Sequence, residues 1–283
     1  MKQLHRIVRK GQFHWVGDGF PVHTMFSYNT PDADVSPFLL LDYAGPAKFT
    51  SAAKPRGIGF HPHRGFETVT LLYQGEVEHR DTAGNGGLIG PGEVQWMTAA
   101  KGLLHEEMHS TAFTRQGGVF EAIQLWVNLP ATFKMENPHY QSILKADIPL
   151  IKPDQRGSLI RVIAGDYQGV KGPVHTYTPV NLWDLRLAAE QTLVFDLPET
   201  HSTLLFALTG RLDINRSATL NDAELALFER TGKTIELTAR EDAKVLVMSG
   251  EPINEPIAGY GPFVMNTQAE IRQALKDFGY QGH

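Results

Sequence analysis

The 283-residue chain has no cysteine, which excludes disulfides, thiolate metal sites and a cysteine nucleophile together. That absence leaves the redox compartment open, because a chain without thiols tolerates either poise. An excess of positive charge is also missing: 26 Lys and Arg stand against 31 Asp and Glu, for a net charge of −5. Up to Pro130 there are 11 basic and 12 acidic residues, and beyond it 15 and 19, so neither half is a basic module. Direct nucleic-acid binding is therefore disfavoured. Long apolar runs are absent as well. No stretch approaches the roughly 18 apolar residues of a membrane span. The N-terminal MKQLHRIVRKG offers nothing longer than Ile7-Val8 as the apolar core of an export signal. A cytoplasmic protein without membrane contact is expected.

What the chain does have is 42% hydrophobic residues, 27 glycines and 17 prolines, enough to build cores and many turns. At about 150 residues per domain, its length suggests two domains. Short β-rich runs are separated by turn residues. Thr68–Tyr73 (TVTLLY) meets Gln74-Gly75 and continues as Glu76–His79, which reads as a hairpin. Val94–Met97 follows Gly90-Pro91-Gly92, and Ala122–Val127 ends at Asn128-Leu129-Pro130. Turn signals at intervals of roughly 8–12 residues mark an all-β sandwich or barrel rather than a βαβ fold. The second half repeats the grammar: Ser202–Leu208 meets Thr209-Gly210 and Leu212-Asp213-Ile214 follows. The pattern predicts two tandem copies of one barrel, residues 1–132 and 133–283, with the polar stretch Ala131–Lys145 as linker. One helix is expected at about 268–278. Thr267 and Glu270 have capping-box spacing, Ile271, Ala274, Leu275 and Phe278 form one apolar stripe, and Gly279 stops it.

The chemistry concentrates in Gly59–Glu67 (GFHPHRGFE). In a strand, residues two apart face one side, so His61 and His63 point together. A second pair of equal parity, His105 and Glu107, lies in GLLHEE. Barrel closure would bring the two strands side by side and converge three imidazoles and one carboxylate, a nitrogen–oxygen shell for a divalent metal. Glu67 shares the parity of His61 and His63 and is read three ways: ligand, support for an imidazole, or hydrogen-bonded barrel residue. His109 could reach the rim of the site, whereas His79, among Glu78, Arg80 and Asp81, reads as part of a solvated arm. In the second half, overlaying Gly210 on Gly75 puts Asp196 and Pro198 where His61 and His63 stand, and His175, His201 and His283 belong to no His-x-His pair. One metal per chain is expected, in the N-terminal barrel.

The string HPHRGFETVT, followed by Gly90-Pro91-Gly92 with Val94–Ala99 (VQWMTA), closely resembles the pirin family, bicupins of the cupin superfamily. Leu40-Leu41-Asp42 with Gly45-Pro46, QLWVNLP at 124–130 and GPFVMNT at 261–267 extend the resemblance over nearly the whole chain. It implies two cupin (double-stranded β-helix, jelly-roll) barrels and a mononuclear iron held by His61, His63, His105 and Glu107. Many cupins instead use the glutamate at the position of Glu67. Ala100-Lys101 departs from the Gly-Arg pair common in the family before the third histidine.

Four protein ligands on a six-coordinate ion leave two positions open. Imidazole and carboxylate suit Fe(II), with Zn, Mn, Ni or Cu as substitutes. The resemblance implies either of two functions. One is quercetin 2,3-dioxygenase-type chemistry, in which O2 opens the central ring of a flavonol and carbon monoxide leaves. Phe60, Phe66, Trp96 and Met97 are then candidate apolar neighbours of a flat aromatic substrate. The other is a metal-dependent, redox-sensitive regulator acting on a transcription factor or a metabolic enzyme by protein–protein contact. In the dioxygenase reading Glu107 is both ligand and catalytic base for the 3-hydroxyl proton, because imidazoles bound to a metal have no lone pair left to accept it. Glu106, of opposite parity, faces away.

Overall fold

The computed structural model describes residues 1–9, 11–30 and 35–280, so His283 lies outside the described residues. β-Branched and aromatic residues between glycine- and proline-rich turns give strands throughout. Val77–Asp81 shows the principle, with alternate residues buried and exposed along VEHRD.

The chain folds as two units, neither contiguous in sequence. The first comprises residues 12–30, 38–145 and 253–280. Its large sheet has seven antiparallel strands in the order His139–Ile143, Val94–Thr98, Phe66–Gln74, Gly118–Asn128, Phe38–Phe49, Phe20–Ser27 and Gln12–Val16. Its small sheet has four, in the order Gly57–His63, Leu103–His109, Val77–Asp81 and Gly86–Ile89. Val77 and Ile89 of the small sheet pack with Leu72, Phe120 and Ala122 of the large one to form part of the core. The second unit, chiefly residues 146–252 with residues 1–9, repeats the plan with a seven-stranded and a four-stranded sheet. Its core joins Trp183, Leu205 and Val245 to Phe195, Ile214 and Leu237.

The chain's two ends depart from the expected division after residue 132. Strand Leu4–Val8 pairs with Glu224–Phe228 and completes the edge of the second unit's large sheet. Helix Gln268–Phe278 belongs to the first unit, with the expected capping box at Thr267 and Glu270 and Gly279 left-handed at φ 58°. Phe278 stacks on Phe263 at 5.5 Å, and the Arg64 guanidinium lies over the Phe278 ring at 5.0 Å while ion-pairing with Asp277 at 2.8 Å.

Two local expectations need correction. Gln74-Gly75 is a corner, not a hairpin: Phe66–Gln74 lies in the large sheet and Val77–Asp81 in the small one, with no pairing between them. Gly75 takes φ 87°, and a Cβ there would sit 2.7 Å from the Phe120 ring, so only glycine turns this corner without displacing the core. Gly210 does the same at φ 91° between Ser202–Thr209 and Leu212–Ile214, in keeping with a duplicated barrel. The second correction concerns residues 131–145. His139–Ile143 pairs with Val94–Thr98 as the edge strand of the large sheet, so this polar stretch is structure rather than linker. Among the described residues, no helix is long and apolar enough to cross a membrane.

Candidate metal centre

Strand Gly57–His63 carries His61 and His63 on one face, and Leu103–His109 runs antiparallel beside it with His105 directly opposite His61. One nitrogen from each of the three rings lies within 4.8 Å of the others. The ring centroids are 4.4, 4.8 and 5.0 Å apart. His61, half-buried, has Nδ1 2.9 Å from the Gly59 carbonyl oxygen, so Nδ1–H donates there and Nε2 keeps its lone pair.

His63 and His105 are buried, and none of their four ring nitrogens has a hydrogen-bond partner. Burial, reinforced by the neighbouring imidazoles, holds both pKa values well below the usual histidine range. These are neutral rings with lone pairs available. Buried polar atoms left without partners are costly, and a cation accepting one lone pair from each ring relieves part of that cost. The donor set is nitrogen without sulfur, suited to a first-row transition ion. A metal therefore fits the residues present.

The strand break after His63 is fixed locally. Gly65 has φ 92°, and a Cβ there would fall 1.9 Å from the Val264 carbonyl oxygen. The buried Lys134 ammonium donates to the carbonyl oxygens of Gly65 at 2.6 Å and Val264 at 3.0 Å, and to Asn128 Oδ1 at 2.6 Å. Burial draws its pKa down to about 7, while three acceptors match the three N–H bonds of the charged form. The break also explains Glu67. Strand parity does not carry across residues 64–65, and Glu67 instead faces Thr98, whose Oγ1 donates to it at 2.7 Å. Glu67 is 1% exposed, and burial lifts its pKa to about 7.

Glu107 is placed differently from the three histidines. A register shift separates it from His105, and its carboxylate does not join the close group of ring nitrogens. It is buried, accepts a long hydrogen bond from Thr70 Oγ1 at 3.4 Å, and is raised by burial to about 7. Glu106 points the other way and pairs with Arg80. Around the histidines, Phe66 and Trp126 stack at 4.3 Å and present their edges or faces to His63 at 5.4 and 5.5 Å. Phe60 is half exposed beneath Arg80, whereas Trp96 and Met97 are fully buried.

His79 requires a correction. It is 6% exposed, sits directly opposite Glu107 across the small sheet, and lies 5.3 Å from the Tyr140 ring. The alternation of VEHRD, which puts His79 on the same side as Val77, was the signal for burial. Tyr140, on the edge strand His139–Ile143, has its pKa raised by burial and by the nearby charges of Asp81 and Glu107. His109 does not reach the rim: its Nε2 meets the Gly19 carbonyl oxygen at 3.0 Å, and its ring is enclosed by Phe20, Phe49, Phe113 and Phe120. In the second unit, His201 Nδ1 lies 3.3 Å from Ser249 Oγ. Asp196 ends an outer strand exposed to solvent.

Comparison with known proteins agrees with this architecture. Residues 19–127 match the Pirin family profile and residues 182–282 match the Pirin C-terminal cupin domain. A crystal structure of quercetin 2,3-dioxygenase from Acinetobacter baumannii superimposes with a TM-score of 0.96 at 50% identity, covering 99% of this chain and 97% of that one. A Pseudomonas aeruginosa protein provisionally named quercetin 2,3-dioxygenase is 53% identical over 98% of this chain and 97% of its own length. A pirin-like protein from Solanum lycopersicum is 38% identical over 93% of this chain and 86% of its own. With both halves matched and close relatives aligned along almost all of its length, this bicupin chain belongs to the pirin family.

Proposed function

We propose that the protein is an iron-dependent oxygenase of the quercetin 2,3-dioxygenase type, opening the central ring of a flavonol with O2 and releasing carbon monoxide. The observation that carries this reading is the set of four buried, partnerless ring nitrogens on His63 and His105 beside His61. The names of the relatives at 50% and 53% identity support the substrate class.

In this reading His61, His63, His105 and Glu107 hold one Fe(II) per chain, for which Zn, Mn, Ni or Cu can substitute because ligand affinity follows the Irving–Williams order. The ion supplies Lewis acidity and one-electron chemistry between an ionised flavonol and dioxygen. The protein's part begins with the flavonol 3-hydroxyl, which must lose its proton. Glu107 takes it. Coordination weakens a carboxylate as a base, but the same ion would acidify the incoming hydroxyl, so the transfer stays near balance. Thr70 Oγ1 lies 3.4 Å from the Glu107 carboxylate while its hydroxyl donates to Gln124 Oε1 at 2.7 Å. Phe66 and Trp126, stacked at 4.3 Å, back the His63 ring from the core side and help fix its position.

The test is oxygen uptake by iron-loaded protein with a panel of flavonols. The expected result is flavonol-dependent uptake with one carbon monoxide released per O2 consumed. Uptake without carbon monoxide, or none with any flavonol, overturns this reading.

A further inference from the structure

A histidine that binds a metal through one ring nitrogen is usually oriented by a hydrogen bond at the other. His63 and His105 have no such bond, so packing and the backbone on either side must aim their rings. That backbone is fastened to the helix Gln268–Phe278 and the segment before it. Arg64, next after His63, donates its backbone N–H to the Pro262 carbonyl oxygen at 3.2 Å and accepts from the Val264 N–H at 3.0 Å. Its buried side chain reaches the other ligand strand. Nε donates to the Lys101 carbonyl oxygen at 2.6 Å, just before Leu103–His109 begins, and Leu103 is directly opposite His63. The rest of the guanidinium belongs to the helix: it lies over the Phe278 ring, and Nη1 donates to Asp277 Oδ2. Phe278 also closes on Gly102, where a Cβ would stand 2.6 Å from the ring's Cζ. Asp277 serves the helix poorly by itself. It sits in the last turn, where the exposed carbonyls disfavour a carboxylate, and the Arg64 cation offsets both.

We propose that helix Gln268–Phe278 is a clamp on the metal centre, with Asp277 and Phe278 as positioning residues that act through Arg64 and Gly102. The clamp fixes the end of Gly57–His63 against the start of Leu103–His109 and so sets the spacing of the His63 and His105 rings, 5.0 Å between centroids. Loosening it lets the two ligands drift and speeds metal loss while the sheets stay paired. The ion is gripped tightly only with the helix docked. This inference rests on reading the three histidines as a metal site, and not on the flavonol chemistry.

The test loads the intact protein with Co(II), whose visible spectrum reports its ligands, and follows release of the ion to a chelator. Asp277→Asn and Phe278→Ala should each speed release by about tenfold or more, the usual effect of losing a group that supports a ligand, and should alter the Co(II) spectrum. Asp277→Glu and Phe278→Tyr should restore slow release. In Arg64→Lys, which keeps the charge and loses the planar fork, release should already be fast, and adding Asp277→Asn should change it little because the two act as one unit. Circular dichroism of the metal-free variants should match the wild type. A lower Tm with unchanged release and an unchanged spectrum would give these residues a purely structural role and overturn the proposal. Wild-type protein that holds no Co(II) removes the metal centre and the clamp together. Co(II) held by the wild type and released as slowly by Asp277→Asn and Phe278→Ala removes the clamp alone.

Discussion

His63 and His105 each bury two ring nitrogens with no partner in the protein, at a cost on the order of 1–3 kcal/mol per orphaned group. Such a cost persists in a fold only when something offsets it, and the neutral, converging rings fit a cation. His61→Ala or His105→Ala should therefore abolish metal retention, read by elemental analysis, while circular dichroism stays that of the wild type. Two cores of this size do not depend on an ion for folding as a zinc finger does. Removing the metal from the wild type should lower Tm without altering secondary structure. For the base, Glu107→Gln should cost about 10²–10⁴-fold in flavonol turnover, while Glu106→Gln, on the outer face with Arg80, should be nearly silent. Glu67 supplies a pH signature. Burial raises its folded pKa to about 7 from 4.5, so between those values the unfolded chain ionises first and stability falls as pH rises. Urea unfolding at pH 4.5 and 7.5 should show Glu67→Gln removing about 3 kcal/mol of that decline. An identical pH dependence in both proteins would show that Glu67 ionises normally.

At the level of elements, what positions the site is a few fastenings between segments distant in sequence. Lys134 ties the Gly65 carbonyl, just after His63, to Val264 and Asn128. Lys134→Met leaves those three acceptors buried without a donor and should destabilise the protein by about 3 kcal/mol or more, measured by denaturant unfolding. The His-x-His strand, the His105–Glu107 parity and the terminal helix were legible because each depends on spacing within a few residues. The corner at Gly75 was not. A glycine after a β-rich run permits a hairpin or a change of sheet equally, and the choice is made by Phe120 packing against the turn from another strand. His79 and Tyr140 were missed for a related reason. Charged neighbours made His79 look solvated, although its parity with Val77 buries it, and the polarity of 131–145 hid an edge strand. Glu67 was misplaced in parity by a strand break that only Gly65 marks.

Across the whole molecule, one plan of seven and four strands occurs twice, yet among the described residues the cluster of three histidines lies in one copy. The positions in the second copy that correspond to His61 and His63 hold Asp196 and Pro198, which cannot supply paired imidazoles. The family resemblance made the two barrels legible, and the structure brings His61, His63 and His105 together as expected; the exchange of chain ends between units left no mark in local pattern. The central claim is that a single ion is held by the histidines of the first unit. Its most direct test is anaerobic Fe(II) titration of the metal-stripped protein, following stoichiometry by calorimetry. One ion per chain should bind in the wild type and in a His175→Ala, His201→Ala double variant, and none tightly in His105→Ala. A second tightly bound ion, or full binding by His105→Ala, would contradict the account.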